Sequence, residues 1–167
     1  MERRHIILLA LVVAGIVAGL ALRSYFSPEK VVRRKLLAAI EAFEKEQILG
    51  AVAPISRGYS DDWGQSYESL AGHMRELMES FEGLQVDLEE PEVTRDGDEL
   101  RVSLRFVLWG VLDGQRGYVV GSVTDPVTIT QLWRDETAGW RIATTEELDI
   151  PELRSELDTL SQSQASP

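Results

Sequence analysis

Seventeen consecutive residues without a charge, Ile6 to Leu22 (IILLALVVAGIVAGLAL), constrain this chain more than any other feature. At about 1.5 Å per residue, a helix of that length spans roughly 26 Å, close to the roughly 30 Å hydrocarbon layer of a bilayer. Tyr25 and Phe26 can extend it into the interface, and Arg3, Arg4 and His5 on one side and Arg23 on the other mark its polar ends. A buried helix of a water-soluble core would be interrupted by polar residues, and none occurs here. Two readings remain. Gly19-Leu20-Ala21 is a tolerable small-x-small cleavage site for a signal peptide, whereas the apolar length favours an uncleaved anchor. The expectation is a membrane anchor over residues 1–27, with lipid as its partner through residues 6–22.

Orientation is argued from two patterns that oppose each other. Lys30, Arg33, Arg34 and Lys35 follow the apolar run and, by count of positive charges, favour a cytoplasmic domain. A short basic tail followed directly by an apolar run is the usual signal-anchor layout, which exports the domain behind it. The expectation is an extracytoplasmic, periplasmic domain on a single-pass anchor. The four basic residues either rest on anionic headgroups, at about 1 kcal/mol each, or form a solvated first helical turn.

Charge and composition then exclude whole classes of function. The chain has 17 Lys plus Arg against 28 Asp plus Glu, a formal charge of -11, which argues against a phosphate-binding surface and removes nucleic acid from the expected partners. Cysteine is absent, so disulfides, thiolate metal sites and cysteine nucleophiles are excluded. No HxH, HExxH or DxDxDG spacing supports a metal site, and no GxSxG, GxxxxGK[ST] or GxGxxG segment supports a serine elbow or a nucleotide loop. Neither metal nor cofactor is expected.

From Ser27 onward, apolar residues recur first at helical and then at strand period. Ser27 is a plausible N-cap before Pro28, and Val32, Leu36, Ile40 and Phe43 predict a helix running to about Leu49 and ended by Gly50. Ala51 to Gln65 reads as a turn-rich connection. Ser66 then caps a second helix with an apolar face of Tyr67, Leu70, Ala71, Met74, Leu77, Met78 and Phe81, stopping at Gly83. Beyond it Leu84, Val86 and Leu88 alternate, as do Val102, Leu104, Phe106 and Leu108 after an Asp96-Gly97-Asp98 turn. Asp113-Gly114 gives a second turn, and the glycines of Gly117 to Gly121 suit a strand bulge. The following strand breaks at Asp125-Pro126, resumes through Val127, Ile129, Gln131 and Trp133, and is followed by a last strand with Trp140, Ile142 and Thr144. Asp149-Ile150-Pro151-Glu152 opens a short helix using Leu153, Leu157 and Leu160, so residues 151–167 are expected to be that helix and a disordered tail.

Two amphipathic helices before four or more antiparallel strands make an α+β domain over residues 28–150, with the helices on the concave face of a curved sheet. The element order, the stretch Tyr59-Ser60-Asp61-Asp62-Trp63-Gly64 before the second helix, and the closing strand Gly139-Trp140-Arg141-Ile142 resemble the nuclear transport factor 2-like superfamily. The resemblance covers about Pro28 to Glu147. It implies the cone-shaped fold of ketosteroid isomerases and SnoaL-like cyclases, in a membrane-anchored bacterial member. It also implies a place to look for chemistry, because enzymes of that superfamily put acids, bases and donors inside the cone.

Tested against that expectation, the sequence offers few groups. Asp61, Asp62, Tyr59 and His73 are the candidate catalytic residues, with either aspartate as base and a tyrosine, Tyr59 or Tyr67, as proton donor. Solvated loop carboxylates and a helix-border histidine are the plainer readings. Tyr59, Trp63, Tyr67 and Trp109 are candidate ligand-binding aromatics, although core or interface is the commoner fate of aromatics at these spacings. Arg101, Ser103 and Arg105 form a polar stripe on the long strand, and Arg105 is expected in an exposed ion pair. A stripe with Val107 and Trp109 facing solvent predicts a homodimer. The favoured function is a membrane-tethered, non-catalytic module that binds an envelope protein or a small apolar ligand. The alternative is an isomerase or cyclase acting through a pocket carboxylate and a tyrosine.

Overall fold

The computed structural model describes residues 27–149 and shows a mixed α+β domain built on one curved antiparallel sheet. Helix α1 spans Pro28–Glu44, a single turn α2 spans Ile48–Ala51, and α3 spans Tyr67–Ser80. Six strands follow: β1 Glu82–Leu88, β2 Glu92–Asp96, β3 Glu99–Leu112, β4 Gln115–Val120, β5 Val127–Glu136 and β6 Gly139–Asp149. Among the described residues no helix is long and apolar enough to cross a membrane. The apolar run from Ile6 to Leu22 and the helix expected from Ile150 onward lie outside the described residues.

The 14-residue strand β3 is the spine of the sheet. One of its edges pairs with β2 at Glu99 to Ser103 and with β1 at Phe106 to Val111. The other pairs with β5 at Leu100 to Phe106 and with β4 at Leu108 to Leu112. Each edge thus receives two pieces of chain, separated at Glu89-Glu90-Pro91 on one side and at Gly121 to Pro126 on the other. Proline cannot donate to a ladder, which explains both interruptions. The sequence reading anticipated the second break and missed the first, so that β2 emerges as a separate strand.

Both hairpin turns at β3 follow their sequences. Asp113 (φ 52°) and Gly114 (φ 77°) form the left-handed pair of a two-residue type I′ hairpin, and Gly97 (φ 63°) turns β2 into β3. A bulge between Leu108 and Trp109 leaves Val119 without a register partner, as the Gly117 to Gly121 stretch suggests.

The first helix ends differently from expectation. Ser27 caps its start, its side chain accepting from the Lys30 amide, but the helix stops at Glu44 rather than Leu49. Glu46 takes the left-handed conformation (φ 58°), and the amides of Glu46 and Gln47 return to the carbonyls of Phe43 and Ala42. That is a Schellman closure with glutamate where glycine is usual. Gly50 serves another purpose: a Cβ there would stand 2.6 Å from the Cβ of Ala42, so its missing side chain lets α2 fold tightly back on α1.

The core lies between α1 and the concave face. Val32, Leu36, Val52, Ile55, Tyr59, Leu100, Val102, Leu104, Trp133 and Ile142 form one buried cluster. Trp133 is fully buried, with Leu100 and Ile142 as its register partners on β3 and β6, and its indole N–H donates to the Gln131 side chain. On the opposite face the polar stripe is present. Arg101 pairs with Asp96 and Glu146, which raises its pKa through the Glu146 hydrogen bond first, and Arg105 pairs with Glu89 at 3.2 Å between two largely exposed side chains. Val107 departs from the solvent-facing placement expected of it. It is buried where β3 exchanges β5 for β4.

Candidate functional site

The connection between α2 and α3 is ordered by the last strand. Its amides and carbonyls pair with the outer edge of β6: Ser56 N–H donates to the Ile142 carbonyl at 2.9 Å, Ile142 N–H to the Pro54 carbonyl at 2.8 Å, and Ser60 N–H to the Ala143 carbonyl at 3.3 Å. Ile55 and Ile142 form a parallel bridge. The segment is a strand-like strap that covers a free sheet edge and drives the Tyr59 ring into the core.

Tyr59 is 4% exposed, and its hydroxyl sits 2.9 Å from both Asp61 Oδ2 and Thr145 Oγ1. The phenol donates to the carboxylate and accepts from the threonine. Burial pushes the phenol up to about 12, the Thr145 bond pulls it down in part, and the Asp61 carboxylate raises it further. Tyr59 therefore remains protonated at any ordinary pH. Its proton is committed to Asp61.

Asp61 is equally committed. Its Oδ1 accepts the amides of Trp63 at 3.0 Å and Gln65 at 2.9 Å, while its Oδ2 receives the Tyr59 hydroxyl. These bonds close the turn through Gly64 (φ 76°) and deliver the chain to Ser66, which caps α3 in a reciprocal box with Ser69. The aspartate expected as a base thus has the geometry of a loop organiser. Asp62 and Trp63 are exposed beside it, and His73 lies on the exposed side of α3.

The remaining aromatics go to two separate places. Tyr67, half-buried at the first turn of α3, carries the Arg57 guanidinium 3.9 Å above its ring. Trp109 lies elsewhere, tilted against Tyr118 with ring centroids 4.0 Å apart and with Arg116 over its ring at 5.2 Å. The structure brings together Tyr59, Asp61 and Thr145, places Tyr67 near but apart, and leaves Asp62, Trp63, His73 and Trp109 outside the group. Among the described side chains no carboxylate is buried, and no cluster of three or more His, Asp or Glu could hold a metal.

A cleft of about 250 Å³ opens beside the strap, between α2, the start of α3 and the turn joining β5 to β6. Leu49, Val52 and Ile55 give it an apolar wall, and Arg57, Tyr67, Glu136 and Arg141 supply its polar and aromatic groups. Arg141 donates to the Ala53 carbonyl, while Glu136 accepts from the Ser56 hydroxyl at 2.6 Å. Sequence reasoning named Tyr67 but missed its partners in this group. Arg57 and Arg141 both stood within or beside stretches that were singled out, but nothing in the spacing of 57, 136 and 141 signals that a hairpin tip and a strap converge.

No family model and no curated protein matches the sequence. Solved structures do match the fold. A nuclear transport factor 2-like superfamily protein from Salmonella enterica superimposes with a TM-score of 0.61 at 13% identity, covering 74% of this chain and 91% of that one. A nuclear transport factor 2-like protein with a cystatin-like fold from Novosphingobium aromaticivorans gives 0.57 at 17%, covering 80% and 86%. Bd1075 of Bdellovibrio bacteriovorus gives 0.57 at 17%, and the match covers 72% of this chain but 41% of that longer one. The cone fold of this superfamily is therefore the fold of residues 27–149.

Proposed function

We propose that the domain is a non-catalytic binding module, tethered to a membrane by its N-terminal segment and carried on the extracytoplasmic side. The observation that carries this reading is the buried apolar cluster between α1 and the sheet. Trp133, Leu100, Val102 and Val32 are fully buried, and the Tyr59 hydroxyl in the same cluster is fully engaged. An isomerase or cyclase of this fold would need an ionisable group facing an apolar cavity. The described carboxylates all reach solvent, which supports recognition at the surface over chemistry in the interior. The tether rests on the uninterrupted run from Ile6 to Leu22.

Two measurements test this reading. Full-length protein should remain in the membrane fraction after alkaline carbonate washing, and the folded domain should take up no neutral apolar fluorophore in a saturable manner. Release by carbonate would remove the tether, and stoichiometric uptake abolished by Tyr59→Phe would restore the enzyme reading.

A further inference from the structure

The cleft beside the strap gathers two arginines, Arg57 and Arg141, beside an exposed apolar rim. Arg33, Lys45, Arg95, Arg101, Arg105 and Arg134 each form an ion pair with a carboxylate. Arg57 and Arg141 face one cleft and form none among the described residues. The carboxylate that shares the cleft, Glu136, bonds the Ser56 hydroxyl instead. Arg57 stacks on the face of Tyr67, and Arg141 donates to the Ala53 carbonyl. A guanidinium stacked on an aromatic ring loses less freedom when it meets a ligand than a free side chain does.

The surroundings agree with a positive site. Lys35 approaches the same hairpin, its ammonium donating to the Trp140 carbonyl at 2.9 Å. Burial lowers its pKa, the charge of Arg141 lowers it further, and Asp135 opposes the shift. Facing these cations across the cleft, Leu49, Val52 and Ile55 present an apolar wall, and Leu49 is 83% exposed at its rim. The exposed Leu49 side chain beside two arginines without an ion pair suits a molecule with an anionic head and an apolar body.

We propose that this cleft binds a small carboxylate, with its anionic group toward Arg57 and Arg141 and its apolar body against the exposed side chain of Leu49. Glu136 limits the affinity for an anion and favours ligands that also bring a donor to its carboxylate. This rests on reading the domain as a binding module, but it involves neither the tether nor the cone interior.

Benzoate and its neutral isostere benzamide are the probes, titrated calorimetrically into full-length protein in nanodiscs of neutral lipid, with empty nanodiscs as the blank. Benzoate should bind with a Kd of about 1 mM or tighter, and benzamide about tenfold more weakly. Arg57→Gln and Arg141→Gln should each weaken benzoate about tenfold. Glu136→Gln, which keeps an acceptor for Ser56, should tighten it about threefold, a gain that misfolding cannot produce. Equal binding of benzamide, no saturable benzoate binding below about 10 mM, or an E136Q protein that binds no tighter overturns the proposal. Such a failure would leave carbonate retention and dye exclusion untouched, so the two readings fail separately.

Discussion

Helices α1 and α3 carry apolar residues at the same period, yet α1 seals Val32, Leu36, Ala39 and Ala42 from water and α3 seals no side chain. The difference lies in what each helix can approach. On α1 the inward positions include two alanines, and Gly50 meets Ala42 closely, so backbones come together and the branched residues between them are enclosed. On α3, Tyr67, Leu70, Ala71 and Met74 pack against the core, but each stays partly exposed. Periodicity tells which face turns inward. How deeply a helix settles depends on what it meets there, as Gly50 meets Ala42.

The largest expected effect separates the two regions outright. Trp133→Ala, beneath α1, should cost about 3–5 kcal/mol in urea unfolding, whereas Met74→Ala on α3 should cost about 1 kcal/mol. Equal losses would mean that the two helices contribute alike to the core. Gly50→Ala sharpens the comparison at the closest approach, with an expected loss of about 1–3 kcal/mol. Ala42→Gly in the same chain should recover part of that loss, and additive losses would show that the contact is not the cause.

The smallest effect concerns the strap between the helices. Tyr59→Phe should cost about 1 kcal/mol at neutral pH by removing one engaged hydroxyl. It should also change the alkaline profile. The unfolded phenol ionises near 10 and the folded one near 12, so its contribution is complete below pH 10 and is lost as pH rises toward 12. Thermal melts of the wild type should therefore fall more steeply across that interval than those of Y59F, and parallel profiles would show that the phenol is not held neutral.

Much of the architecture was legible because local chemistry agreed with the tertiary result. Ser27 and Ser66 cap helices, Asp113-Gly114 turns a hairpin, and Pro126 interrupts a strand, each through groups within a few residues. The errors share a different cause. Glu46 adopts a conformation that glycine normally takes, and Gly50 is required by a neighbour eight positions back, so reading Gly50 as the helix stop exchanged their roles. Candidate site residues fared unevenly for the same reason. Tyr59 and Asp61 were recognised as neighbours in sequence, but their chemistry is set by Thr145, and the cleft is set by Glu136 and Arg141. Those partners come from the opposite end of the domain, where spacing carries no information about them.

The Tyr59 hydroxyl meets Thr145 across a separation of 86 residues, and the strap's sheet-like backbone bonds run to β6. During synthesis, α1 and α2 leave the ribosome long before β6 exists. The strap must wait unpaired until nearly the whole domain has been made, since closing so long a loop comes late in folding. A chain shortened before Ile142 would keep both early helices and most of the strand-forming sequence. It would still lack the last piece that turns the connection into a wall, and with it the cleft.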